Sequence, residues 1–156
     1  MNVMLYSELK NTEESLTALN AEKEFFAQQF KVQSTSLQQT QEEMAFLTQP
    51  STRVINLKGV PKFSDALATA YWNTSTHDLY LKINNLPAPP SEMQYQLWAI
   101  VDGKPVDAGV FDLADNNVIL QKMKSFNSAQ AFAVTLEKKG GSVAPNLDAM
   151  YVIGNV

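Results

Sequence analysis

His77 is the single histidine of the chain. It lies in the polar run Asn73-Thr74-Ser75-Thr76-His77-Asp78, where Ser75 and Asp78 could complete a nucleophilic triad on paper. The run lacks a nucleophile-elbow pattern, and a triad is defined by geometry that sequence proximity does not supply. A histidine in such a loop is read as solvent-facing rather than catalytic or metal-binding. Asp102, Asp107, Asp112 and Asp115 form an acidic stretch that could attract a divalent cation. Their spacing lacks the alternating oxygen ligands and central glycine of a calcium loop, so Asp112 and Asp115 are read as turn formers. The absence of cysteine removes thiolate chemistry, disulfides and cysteine zinc sites. The six methionines are scattered and suit core filling better than a thioether copper site. Neither a phosphate-binding glycine loop nor a dinucleotide fingerprint occurs. No cofactor and no enzymatic activity are therefore expected.

Trp72, Trp98, Tyr71, Tyr80 and Tyr95 could form a platform for a ligand such as a glycan. Aromatic residues are also the usual bulk of strand-built cores, and that is the reading preferred here. What positions these residues follows from the organisation of the chain.

None of the six glycines or seven prolines precedes Pro50, and the charge divides at the same place. Residues 1–49 carry seven acids and three bases, and residues 50–156 carry nine of each, so the net charge of -4 sits in the first segment. Two parts are expected, a helical segment 1–49 and a β domain 50–156. An acidic segment and a neutral one offer no clustered Lys and Arg for phosphate neutralisation, so nucleic-acid binding is not expected. No window reaches the roughly 18 apolar residues of a membrane span, and no basic n-region with an apolar h-region for secretion is found. Met1-Asn2-Val3-Met4-Leu5 reads like the middle of a chain, so the sequence is expected to continue upstream.

From residue 5 to 47 a spacing of four and three runs without a slip through Leu5, Leu9, Thr12, Leu16, Leu19, Lys23, Phe26, Phe30, Gln33, Leu37, Thr40, Met44 and Leu47. Nine of these thirteen positions are apolar, which predicts a coiled-coil helix and self-association through Leu5, Leu9, Leu16, Leu19, Phe26, Phe30, Leu37, Met44 and Leu47. Phe26 and Phe30 at consecutive seam positions are bulky for a parallel dimer, which leaves a trimer, an antiparallel pair or packing on the β domain open. Gln49-Pro50 ends the helix.

Beyond Pro50 the period shortens. Strands are predicted over Val54–Leu57, Leu67–Trp72, Leu79–Ile83, Tyr95–Val101, Val106–Phe111, Val118–Leu120, Ala131–Leu136 and Tyr151–Ile153. Strands at this spacing suggest an antiparallel β-sandwich of Ig-like or Greek-key type. Alternation along Leu79–Ile83 and Ala131–Leu136 predicts half-buried strands. In Tyr95–Val101 both faces are apolar, which predicts a central strand covered on both sides. Asp102-Gly103 and Asn116-Asn117 supply turns, Gly140-Gly141 supplies a tight reversal, and Leu86-Pro87-Ala88-Pro89-Pro90 supplies a stiff crossover.

Tyr95-Gln96-Leu97-Trp98, then Gly103-Lys104-Pro105 leading into Ala108-Gly109-Val110-Phe111, then Val134-Thr135-Leu136-Glu137 through Gly140-Gly141-Ser142 to Pro145, form one ordered constellation. In it, and in Ala70-Tyr71-Trp72, the chain resembles the extracytoplasmic C-terminal domain of membrane-anchored anti-sigma factors of the anti-sigma-K type. Lys138, Lys139 and Asn146 depart from that pattern. The resemblance implies a non-enzymatic sensor or regulatory domain outside a bacterial inner membrane. It implies that the sigma-binding and transmembrane parts lie upstream, that a sigma factor is the partner of the whole protein, and that site-1 and intramembrane proteases release it. Segment 1–49 would be the juxtamembrane stalk. The motif residues Tyr95, Gln96, Leu97, Trp98, Gly109, Phe111, Thr135, Glu137, Gly140, Gly141 and Pro145 would be structural. The competing class is a stalked oligomeric module that presents β heads to a glycan or a protein.

Overall fold

The computed structural model describes residues 2–113 and 120–156. The chain divides into two compact units, Met1–Ala45 and Phe46–Val156.

The first unit is helix. Helix α1 runs over Asn2–Leu47, and its last residues, Phe46 and Leu47, belong to the second unit. Ala, Leu, Glu, Gln and Lys recur through it without Gly or Pro, so nothing interrupts the ladder. Hydroxyls that would compete with the backbone are turned back onto it: Thr12 donates to the Glu8 carbonyl at 2.8 Å and Thr40 to that of Ser36 at 2.9 Å. The expected seam lies along this helix, and Leu5, Leu9, Leu16, Leu19, Phe26, Phe30, Leu37 and Met44 are each 58–75% exposed.

Among its described residues the second unit contains eight strands: β1 (Thr52–Gly59), β2 (Leu67–Asn73), β3 (Leu79–Asn85), β4 (Met93–Val101), β5 (Lys104–Phe111), β6 (Gln121–Met123), β7 (Ala131–Lys138) and β8 (Met150–Asn155). They form one antiparallel sheet in the order β5-β4-β7-β8-β1-β2-β3-β6. The sheet curls until its edges approach, and the Lys124 amide just beyond β6 donates to the Ala108 carbonyl of β5 at 3.0 Å. The architecture is therefore nearly barrel-like, a single curled sheet where two facing sheets were expected. Curling lets one sheet enclose its own core and leaves little open edge.

Rows of side chains cross the interior at matched register. Leu97, Val134 and Val152 are paired neighbours across β4, β7 and β8, and Ile55, Ala70 and Leu81 across β1, β2 and β3. All six are buried. Tyr95 stands among them with its ring 5.9 Å from Phe111 and 5.3 Å from Tyr151. Its hydroxyl donates to the Pro87 carbonyl at 2.8 Å, which ties the proline crossover to the core. Burial pushes that phenol's pKa up, with Tyr151 adding to the shift. At the β4–β5 hairpin, Asp102 (φ 50°) and Gly103 (φ 74°) both take the left-handed conformation that a tight two-residue turn requires.

Two expectations are amended. The strand expected at Val118–Leu120 and the Asn116-Asn117 turn lie outside the described residues apart from Leu120, and β6 follows directly at Gln121–Met123. Strand β7, expected to be half-buried, is buried from Ala131 to Thr135 and again at Glu137. Strand β4 is likewise buried on both faces over Tyr95–Ala99, as its composition predicts. The cover on the outer face of these two strands is the connection between β7 and β8.

Candidate functional site

Strand parity puts Gln94, Gln96 and Trp98 of β4 on the outer face, beside Glu137, Thr135 and Ala133 of β7. Gln94, Gln96, Thr135 and Glu137 among them are polar and have no apolar reason to be covered. They are covered because they bond to one another and to the connection that closes over them.

Glu137 is the centre, with only 4% of its surface exposed. One carboxylate oxygen accepts from the Thr135 hydroxyl at 2.5 Å and the Asn146 amide at 2.8 Å, and the other from the Ser142 hydroxyl at 2.7 Å. Burial alone would raise its pKa. The donors from Asn146, Thr135 and Ser142 outweigh that, and the carboxyl is held below its ordinary value of 4.5. The Thr135 oxygen in turn accepts from the Trp98 indole at 2.8 Å, so a buried relay runs from Trp98 through Thr135 to Glu137.

Gln96 grips the same connection from β4. Its side-chain oxygen accepts from the Ser142 amide at 2.7 Å, and its amide donates to the Ser142 carbonyl at 3.1 Å and to Asp107 at 2.8 Å. Gln94 accepts from the Gly140 amide at 3.0 Å. The reversal at Gly140-Gly141 lies against the sheet because Gly141 has φ 89° and no side chain. A Cβ there would come within 2.8 Å of Val110 and 2.9 Å of the Gln96 oxygen. Asp107 also accepts from the Gly109 amide and pairs with Lys124. Its burial favours a raised pKa, but the donors from Lys124, Gln96 and Gly109 lower it overall.

Beside this cluster lies an apolar groove of about 320 Å³. Trp98, Ile100, Ala133, Pro145, Leu147 and Ile153 contribute to its walls. Ala133 is buried, while Leu147 is 68% and Ile153 39% exposed, so the groove is floored by the sheet and open at its rim.

The resemblance motif is thus divided between two faces. Gln96, Trp98, Thr135, Glu137, Gly140, Gly141 and Pro145 meet on the outer face, whereas Tyr95, Leu97 and Phe111 fill the core, and Gly109 contributes its amide to Asp107. The helical seam residues belong to the other unit except Leu47, which is half-buried in this one. The residues considered for chemistry are not assembled. His77 takes φ 67° in the β2–β3 turn, and its Nδ1 is buried with no hydrogen-bond partner among the described residues. Asp78 pairs with Lys122 at 3.4 Å. Asp112 accepts from Gln94 at 3.0 Å, and Asp115 lies outside the described residues. Among the described residues no group of three or more His, Cys, Asp or Glu could hold a metal ion.

A family model described as anti-sigma-K factor rskA, C-terminal, matches residues 16–149. The chain belongs to this family. No curated protein and no solved structure matches it. The match to the anti-sigma-K C-terminal family takes in both the outer-face cluster and more than half of α1. The family is a regulatory class rather than an enzymatic one.

Sequence reasoning missed Gln94, Asp107 and the Asn146 amide as members of the cluster. A usable signal was present: Thr135 and Glu137 alternate on one face of a strand whose residues from Ala131 to Val134 and at Leu136 are apolar, next to a strand that places Gln96 and Trp98 alike.

Because Glu137 is more acidic folded than unfolded, its contribution is complete above the unfolded carboxylate range and is lost as pH falls through the folded value. Glu137→Gln should cost about 2 kcal/mol at pH 7 by urea unfolding. That difference should narrow as the pH is lowered below about 4.

Proposed function

We propose that this chain is the extracytoplasmic regulatory part of a membrane-anchored anti-sigma factor, with residues 50–156 as a sensor head and residues 1–49 as a juxtamembrane stalk. The observation that carries this reading is the family match, which begins within the helix at residue 16 and runs to residue 149. In this reading the whole protein holds a sigma factor on the inner side of a bacterial membrane until site-1 and intramembrane proteases release it. No helix among the described residues is long and apolar enough to cross a membrane.

The head acts without catalysis. Its conspicuous polar side chains are committed to holding the β7–β8 connection, which leaves their donors and acceptors paired with one another. The stalk self-associates through its heptad seam. Eight seam positions with more than half their surface exposed are an apolar stripe that a second copy would cover. Thr12 and Thr40 fit such a seam because their hydroxyls are already satisfied within the helix. A second reading, a stalked binding module, draws on the apolar groove beside Trp98.

Phe26→Glu combined with Phe30→Glu should turn an oligomer into a monomer in analytical ultracentrifugation while the head's thermal transition is retained. A monomeric parent chain would remove the stalk from the proposal. In the full-length protein, deletion of residues 50–156 should alter sigma-dependent transcription under inducing conditions. Unchanged signalling under every such condition would exclude a sensing head.

A further inference from the structure

At the start of the second unit, one side chain joins two segments. Asn73, the last residue of β2, is fully buried. Its side-chain amide donates to Gln49 at 2.6 Å and to the Thr52 hydroxyl oxygen at 3.2 Å. Its side-chain oxygen accepts from the Ser75 and Thr76 amides, each at 2.9 Å. Both donors therefore hold the connection that leaves α1, and the acceptor holds the β2–β3 turn.

Further bonds run in parallel. The Thr52 hydroxyl donates to the Phe46 carbonyl at 2.8 Å, and the Thr74 amide donates to the Ser51 carbonyl at 3.0 Å. The Phe46 ring packs 4.6 Å from that of Tyr80 in β3. The turn is also fixed from its far side, since the Phe126 amide donates to the His77 carbonyl at 3.1 Å and the Trp72 indole to the Phe126 carbonyl at 3.0 Å. Phe132 of β7 lies 6.2 Å from Trp72 and 6.5 Å from Phe126, ring to ring. A contiguous set of contacts thus links the last helical residues, the turn and the central strands.

We propose that Asn73 is a latch coupling the end of α1 to the β2–β3 turn, so that neither is released without loosening the other. Two features support a switchable element. The turn holds His77, a non-glycine residue, in the left-handed region at φ 67°, a backbone conformation that persists only while its surroundings fix it. In addition, one buried amide carries both halves, and its release would break all four bonds together. Whatever displaces the turn, or pulls on the chain entering Phe46, acts on the same latch. The coupling stands on the geometry of this unit alone and does not depend on which ligand or protease the whole protein meets.

The test is hydrogen exchange on the intact chain with one variant on each side of the latch. Gln49→Ala removes an acceptor on the helix side and leaves the turn's own atoms untouched. Asn73→Asp keeps a side-chain oxygen that can accept from Ser75 and Thr76 but removes both donors. Gln49→Ala should speed exchange at the distant Ser75 and Thr76 amides at least about fivefold, while β4 and β7 amides are unchanged. Asn73→Asp should speed exchange at the Gln49 and Thr52 amides to a similar extent. Acceleration in Gln49→Ala confined to residues 46–52, with Ser75 and Thr76 unchanged, would overturn the latch. That variant decides the matter alone if Asn73→Asp does not fold.

Discussion

A carboxylate that is removed from water must find its partners inside the protein, and Glu137 finds three. The desolvation of such a group is far costlier than the gain from any one bond, so the site is stable only when all its donors are in place. That requirement fixes the surroundings. Thr135 must precede it by two on the same face of β7, the β7–β8 connection must return to offer Ser142 and Asn146, and the reversal at Gly141 must be flat enough to lie on Gln96. The connection then covers Trp98, and β4 and β7 become doubly buried. Removal of the carboxylate's partners would strand a charge, whereas loss of an exposed contact elsewhere would cost little.

Much of this was legible from residue order. The change of period at Pro50 falls between the helix observed over Asn2–Leu47 and the strands that follow it. Seven of the eight strands fall on their expected runs because turn chemistry and β-branched or aromatic residues mark each boundary. The doubly covered character of Tyr95–Ala99 was visible from apolar residues on both its faces.

What was not legible is what depends on distant pairing. A single curled sheet and two facing sheets demand the same alternating strands; closure is decided by which strands become neighbours, and β8 lies between β7 and β1. The polar cluster was hidden for a related reason. Thr135 and Glu137 look like the wet side of a half-buried strand until the connection from 139 to 149 is known to fold back over them. The Asn73 latch combines residues from three segments, and an asparagine next to a turn is usually explained locally. Gln96, Trp98, Thr135, Glu137, Gly140 and Gly141 meet only once that connection closes over one pair of strands.

Glu137 holds the β7–β8 connection onto the outer face as part of the folded core. The measurement that tests it most directly is native-state hydrogen exchange at the Ser142 and Asn146 amides. These amides lie in a surface connection, yet they are bonded to Gln96 and Glu137. At neutral pH they should exchange only as slowly as the amides of β4 and β7, through global unfolding. Exchange at the rate of an open surface loop, with β4 and β7 still protected, would contradict the account.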